Sequence, residues 1–527
     1  MSRRHSALLA VFLLSGLSTW AGIAGASAAP EPTTVLESPP IVAPASVIEL
    51  LAESSDDATA DVDWPAIIDA RLAALAGEGR SEPVGSRDHR LDASVRAALH
   101  GLGARARVAV EIRDLERDAV LVDLGADRTL NPASNQKLVT AIAAVELLGA
   151  DYRFQTMVLR AGDRLILRGE GDPDLHVADL HALAAAVVAR GALDGVTRIV
   201  IDDTAFDSRT LGPGFRSDGP GDSYIAPSGA LAIEYATVEI TVRPGRFGRA
   251  AQVDIEPGGA AIELHNRATT RSGSLSVTTR AGDDGRTIVE VDGSISGGHA
   301  PIRVRRRVAD PGLLAASTFA ELLAAQTGRA ALPVVRESVP PGSQEWGAEP
   351  IAVHQSAPLC AVLGSALRYS NNFTAEQVLR TLGWRASGRA GSWDDGVATL
   401  ERFAAAVSPS EAGEQQFVNG SGLSRDGRLS PRFINDVVAL VERPSSAAQV
   451  LLASFAKAGG EGTLRGRVPV AGDRVLAKTG TYAGASTLSG VVSNREGRRL
   501  GFSILINGGD LERNRAAQDR VVAALLR

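Results

Sequence analysis

The 527-residue chain has one cysteine, Cys360, three lysines, and aromatic residues at only 4% of the total. A lone cysteine excludes an intrachain disulfide and any thiolate metal cluster. The eight histidines are scattered and no H-E-x-x-H pair occurs, so no metal centre and no cofactor are expected. No basic block is present and the formal charge is −6, which argues against a nucleic-acid partner. A soluble protein with at most peripheral membrane association is expected.

Hydrophobic residues make up 44% and charged residues 22%, an ordinary globular mixture. The length leaves room for about three folding units. At the N-terminus Arg3 and Arg4 precede an apolar run from Ala7 to Leu14, and small residues lead to Ala26-Ser27-Ala28. That order is the pattern of an export signal over residues 1–28. Residues 29–90 follow as a linker expected to be largely disordered, rich at first in Pro, Ser, Ala and acids, with a helix foreseen near Trp64 to Ala76.

Lysine usage is informative. Arginine supplies nearly all the basic residues, and the exceptions are Lys137, Lys457 and Lys478. Arginine stays charged in proteins, whereas a buried lysine can lose its proton and act as a base.

Apolar alternation over Val108–Ile112 and Ala119–Asp123, with a polar turn between, predicts a strand hairpin. Leu138 to Leu148 has helical periodicity and stops at Gly149, with Pro132 just ahead of its start. Ser134 therefore sits at a helix N-terminus, where free N–H groups converge. Residues 91–153 read as the first part of a helix-rich domain. Short strands and Gly- and Asp-rich turns over 154–308, with one helix near Leu180 to Arg190, read as inserted, mostly β accessory modules. A helix over Pro311–Gln326 then returns the chain to the helix-rich domain, whose second part is 309–527.

Three short motifs occur in order: Ser134-Asn135-Gln136-Lys137, Ser370-Asn371-Asn372 and Lys478-Thr479-Gly480. Singly each is weak; together, using two of the three lysines, they form the set of serine acyl-transfer enzymes that act on peptides and β-lactams. A serine hydroxyl is a poor nucleophile until a base takes its proton. Lys137 lies one helical turn beyond Ser134, so its amine shares the serine's face. Burial and a second cation, Lys478, would lower its pKa toward neutrality. Ser370 can relay a proton to the leaving amine, and Asn372 offers donors and an acceptor to a peptide. Lys478 and Thr479 suit a terminal carboxylate. Gly480 lets substrate lie close to the strand, and the N–H groups of Ser134 and Thr481 can form an oxyanion hole.

From about Val108 onward the chain resembles the D-alanyl-D-alanine carboxypeptidases of the low-molecular-mass class C penicillin-binding proteins, the DacB-like peptidase family S13. Besides the three motifs, the likeness rests on Asn131-Pro132-Ala133-Ser134, Gly169 to Asp174, Ile201-Asp202-Asp203 with Phe206, and Tyr224 to Pro227. Ala375-Glu376, Asn419 to Ser424, Gly462 to Arg465 and Thr481 extend it. The long interval between Ser134 and Ser370 favours this family over a plain serine β-lactamase. Asn371 and Asn419 stand where the family often has Asp. The resemblance implies an α+β fold: a β-lactamase-like catalytic domain, an antiparallel sheet flanked by helices, split by the accessory modules. It implies a penicillin-sensitive, exported enzyme in a bacterial periplasm or envelope. Its substrates would be the D-Ala-D-Ala ends of peptidoglycan stem peptides, with DD-endopeptidase activity a close relative, and β-lactams would be covalent inhibitors.

Overall fold

The computed structural model describes residues 47–49, 62–77, 84–85, 88–215, 219–337 and 348–527. The export signal and most of the linker lie outside the described residues. The linker helix spans Trp64–Gly77 and buries Ile68 and Leu72 in the main core, with Trp64 packed edge-on against Tyr152.

The hairpin foreseen at residues 108–123 forms as Arg107–Asp114 and Ala119–Leu124, but it does not stand alone. It joins a seven-stranded sheet ordered Ala456–Lys457, Val475–Tyr482, Ala485–Ser493, Arg499–Asn507, Arg107–Asp114, Ala119–Leu124, Val84–Gly85. All pairings are antiparallel except the last. Val110 faces Ile504 across the seam between the early hairpin and the late strands.

Both faces of this sheet are covered, and the two-residue side-chain period sorts the residues between them. Val110, Ile112, Leu488, Phe502, Ile504 and Ile506 turn toward one core, completed by Val95, Ala517, Val521 and Leu525 from the helices His89–Leu99 and Leu511–Leu525. Ala109, Val491 and Leu505 turn the other way, onto a larger helical core. The helix Gln136–Leu148 runs through that second core with only Glu146 short of burial. A helix this apolar all round is a central one, and it fixes Ser134 at the sheet edge of the core.

The inserted region contains the helix foreseen near Leu180 to Arg190, as Val177–Ala189. Gln155–Ala161, Arg164–Gly169 and Arg198–Asp202 form part of a mixed six-stranded sheet with Glu349–Gln355 and Val334–Val335. The helix Pro311–Thr327 packs with Val177–Ala189 over this sheet rather than returning at once to the catalytic core. Its apolar residues, Leu314, Phe319 and Leu323, pack onto Leu180, Leu183 and Val187, which share their core. Two smaller sheets follow along the chain: Thr237–Arg243 flanked by Gln252–Glu256 and Ile302–Arg307, and a group centred on Thr287–Ile295.

Candidate active site

The first motif enters the site on a tightly held turn. Asn131 accepts a hydrogen bond from the Ala133 N–H at 2.9 Å and donates to the Ser424 carbonyl at 2.8 Å. Asn507, at the end of a sheet strand, accepts from the Asn131 N–H and donates to its carbonyl. Ala133 is thereby held at φ 43, the left-handed region that β-carbon residues rarely adopt. The turn Ala133–Asn135 then feeds directly into the helix that carries Lys137.

Lys137 is fully buried. Its Nζ lies 3.1 Å from Ser134 Oγ, 2.7 Å from Asn372 Oδ1 and 2.8 Å from the Ser421 carbonyl. Burial pushes its pKa down to about 7, against an opposing pull from the Glu376 carboxylate. With the amine neutral, its two N–H bonds are taken by the amide oxygen and the carbonyl, which can only accept. Its lone pair then faces the Ser134 hydroxyl.

Lys478 is also buried, and its Nζ donates to Ser370 Oγ at 2.9 Å and to the Thr479 carbonyl at 2.8 Å. Burial and the neighbouring Lys137 hold its pKa well below the ordinary lysine value. Ser370 occupies a left-handed backbone conformation, φ 64, just before the helix Asn372–Ser387. Asn371 caps that helix by accepting from the Thr374 N–H, a task either Asn or Asp can perform.

Gly480 is where the strand meets the turn that carries Ser134. A Cβ there would lie 2.9 Å from the Ser134 nitrogen and 2.2 Å from Thr487 Oγ1. Thr487 itself donates to the Pro132 carbonyl at 2.9 Å, tying strand to turn. Thr479 is half-buried and Thr481 exposed on the same strand. The structure thus brings together Ser134, Lys137, Ser370 and Asn372 with the strand bearing Lys478, Thr479, Gly480 and Thr481.

Several contributors are not evident from the motifs alone. Glu376 is buried and accepts from the N–H groups of Gly420 and Ser421 and from Trp393 Nε1, at 3.0, 2.9 and 2.8 Å. It holds the loop that aims the Ser421 carbonyl at Lys137. A Cβ on Gly422, at φ +78, would meet the Ala133 carbonyl at 2.0 Å, so this loop can approach the Ala133–Ser134 turn only as glycine. Asn419 secures the loop by accepting from the Gly422 N–H and donating to Pro213 and Leu423 carbonyls. From the inserted region, the Tyr224 carbonyl accepts from Asn372 at 2.8 Å. The only signals for these residues were the family-like segments at 375–376, 419–424 and 224–227.

A family model described as the D-Ala-D-Ala carboxypeptidase 3 (S13) family matches residues 91–527. The D-alanyl-D-alanine carboxypeptidase of Actinomadura sp. (strain R39) is 36% identical over 420 residues, 75% of this chain and 77% of that protein. The D-alanyl-D-alanine carboxypeptidase DacB of Haemophilus influenzae is 25% identical over 422 residues, 76% and 86% of the two chains. In fold, the crystal structure of penicillin binding protein 4 (dacB) from Haemophilus influenzae is similar with a TM-score of 0.70 and 22% identity. That match covers 82% of this chain and 99% of the other. A structure of the same protein complexed with a β-lactam gives 0.63.

Proposed function

Since the chain belongs to the D-Ala-D-Ala carboxypeptidase 3 (S13) family and is a serine hydrolase of that kind, we propose that Ser134 is its nucleophile and Lys137 the base that activates it. The observation that carries this reading is the buried amine of Lys137, 3.1 Å from Ser134 Oγ, with its two N–H bonds already committed elsewhere. The substrate is the D-Ala-D-Ala terminus of a peptidoglycan stem peptide.

Lys137 Nζ takes the hydroxyl proton as Ser134 Oγ bonds to the carbonyl carbon between the two D-alanines. The developing oxyanion is held by the N–H groups of Ser134 and Thr481, a contribution of about 3–4 kcal/mol per donor. Ser370, hydrogen-bonded to Lys478, gives its hydroxyl proton to the leaving nitrogen as the C–N bond breaks and D-alanine departs, and it is reprotonated by the Lys137 ammonium, which returns to the neutral amine. Water then attacks the Ser134 ester, giving its proton back through the same amine and releasing the shortened peptide. Lys478 and Thr479 receive the terminal carboxylate, whose negative charge favours the protonated form of a lysine that burial otherwise depresses. Asn372 orients the peptide, and Gly480 leaves room for it beside the strand.

Burial, and then the charge of the neighbouring Lys137, hold Lys478 below the ordinary lysine range. A β-lactam presents the same carbonyl and carboxylate, and it acylates Ser134 and leaves slowly. The export-signal pattern over residues 1–28 supports a location in the bacterial periplasm or envelope.

Intact-protein mass after incubation with benzylpenicillin tests the reading. One stable penicillin adduct on the unmodified sequence, none on Ser134→Ala, and release of D-alanine from a D-Ala-D-Ala peptide is the expected result. Adduct formation on Ser134→Ala, or hydrolysis of penicillin without an adduct, would sink it.

A further inference from the structure

Three loops at one end of the inserted region carry an unusual charge pattern. Residues 243–252, 267–275 and 293–303 contain six arginines, one histidine and no acidic residue, in a chain whose formal charge is −6. The structure joins them. Gly248 N–H donates to the Thr270 carbonyl at 2.8 Å and Thr270 N–H to the Arg249 carbonyl at 2.7 Å. Gly245 N–H donates to Thr270 Oγ1, and Arg271 N–H donates to the Ile295 carbonyl. Arg303 lies on the strand paired with Thr237–Arg243, opposite Thr241.

Two of the six arginines are neutralised, Arg243 by Asp254 and Arg267 by Asp292. Arg246, Arg249, Arg271 and Arg303 are exposed and have no carboxylate within ion-pair distance among the described residues. At the tip, between Arg246 and Arg249, stands Phe247, 85% exposed. The phenyl ring therefore stands in water beside arginines that no carboxylate of the described residues neutralises.

We propose that this end of the molecule docks on a bilayer surface bearing anionic phospholipid headgroups. The arginines contact the phosphates while Phe247 enters the boundary between headgroups and acyl chains. This is the chemistry that interfacial anchors use, an apolar side chain ringed by cations. The shape selects a bilayer over a linear polymer or a folded partner. Phe247 projects from a loop, and a bilayer yields to a protruding ring whereas a polymer needs a groove. The site does not compete with the active site. Tyr224 adjoins the opposite end of the same small sheet, where Asp222 bridges to Arg306 and Gly221 accepts from Arg307. The strand Thr237–Arg243 separates the two ends by roughly 20 Å at the usual rise per residue.

Co-sedimentation of the full chain with vesicles tests this, using phosphatidylcholine alone and phosphatidylcholine with about one third phosphatidylglycerol. The neutral vesicles measure whatever the apolar N-terminal segment contributes. The expected result is extra binding to the anionic vesicles that falls with salt. Each of Arg246→Glu, Arg249→Glu and Arg271→Glu should lower it at least about fivefold. Phe247→Ser should lower it about tenfold or more. Activity on a soluble D-Ala-D-Ala peptide and the melting temperature should be unchanged in all four. Equal binding to both vesicle types, or binding that survives the arginine reversals, would overturn the proposal. So would charge-dependent binding indifferent to Phe247, which would assign the patch to a soluble anionic polymer.

Discussion

Two clusters of positive charge sit at opposite ends of this molecule's chemistry, and they are built from different residues. At the nucleophile, Lys137 and Lys478 are buried and both depressed below the ordinary lysine range. At the tip of the inserted region, Arg246, Arg249, Arg271 and Arg303 are exposed and permanently charged. The chain writes arginine almost everywhere, so the contrast shows where a removable proton is needed. Lys457, the third lysine, belongs to neither cluster: it is half-exposed and paired with Asp473 at 3.3 Å.

The largest expected effect tests whether that choice of residue is essential. Lys137→Arg keeps the charge and removes the base, and kcat/KM for a D-Ala-D-Ala peptide should fall by about 10²–10⁴. Arg246→Lys at the other cluster should leave the same rate untouched. A second effect should follow from moving two surfaces apart. Gly480→Ala places a methyl against the Ser134 nitrogen and Thr487, and steady-state kinetics should show a loss of about 100-fold from misplacement alone.

Next comes pH. Only the neutral Lys137 amine can accept the serine proton, so kcat/KM should climb as pH rises through about 7 and be suppressed below it. Glu376 sharpens this, because its carboxylate favours the protonated amine. Glu376→Gln should move that rise to lower pH, read from the pH profile of kcat/KM. The amide nitrogen would also face N–H donors, so thermal unfolding should show a stability loss of about 1–3 kcal/mol. An unchanged profile would mean that Glu376 serves only to hold the 420–421 loop.

The proposed catalytic constellation was legible in the sequence because its chemistry admits few substitutes. A base needs lysine, a close strand needs glycine, and the left-handed turn before the nucleophile leaves its mark in Asn131-Pro132. The Gln136–Leu148 helix and the 107–124 hairpin were legible from periodicity. What a backbone carbonyl does was not: nothing in the identity of Ser421 announces that its C=O accepts from Lys137. Its placement depends on Glu376, 45 residues earlier. Periodicity likewise cannot say which sheet an amphipathic helix covers, and so Pro311–Thr327 reads equally well as part of either domain. The Trp64–Gly77 helix is similar, since Ile68 and Leu72 find their partners only in the assembled core.

The seam between Arg107–Asp114 and Arg499–Asn507 has a consequence for biosynthesis. The early hairpin has no hydrogen-bonding neighbour on that side until the late strand arrives, and the Asn131 turn is clasped by Asn507 itself. Pairings between residues so far apart in sequence form late in folding. A chain still lacking Arg499–Asn507 therefore carries every motif residue up to Thr481 without the strand that neighbours Arg107–Asp114 or the Asn507 clasp on the turn that presents Ser134.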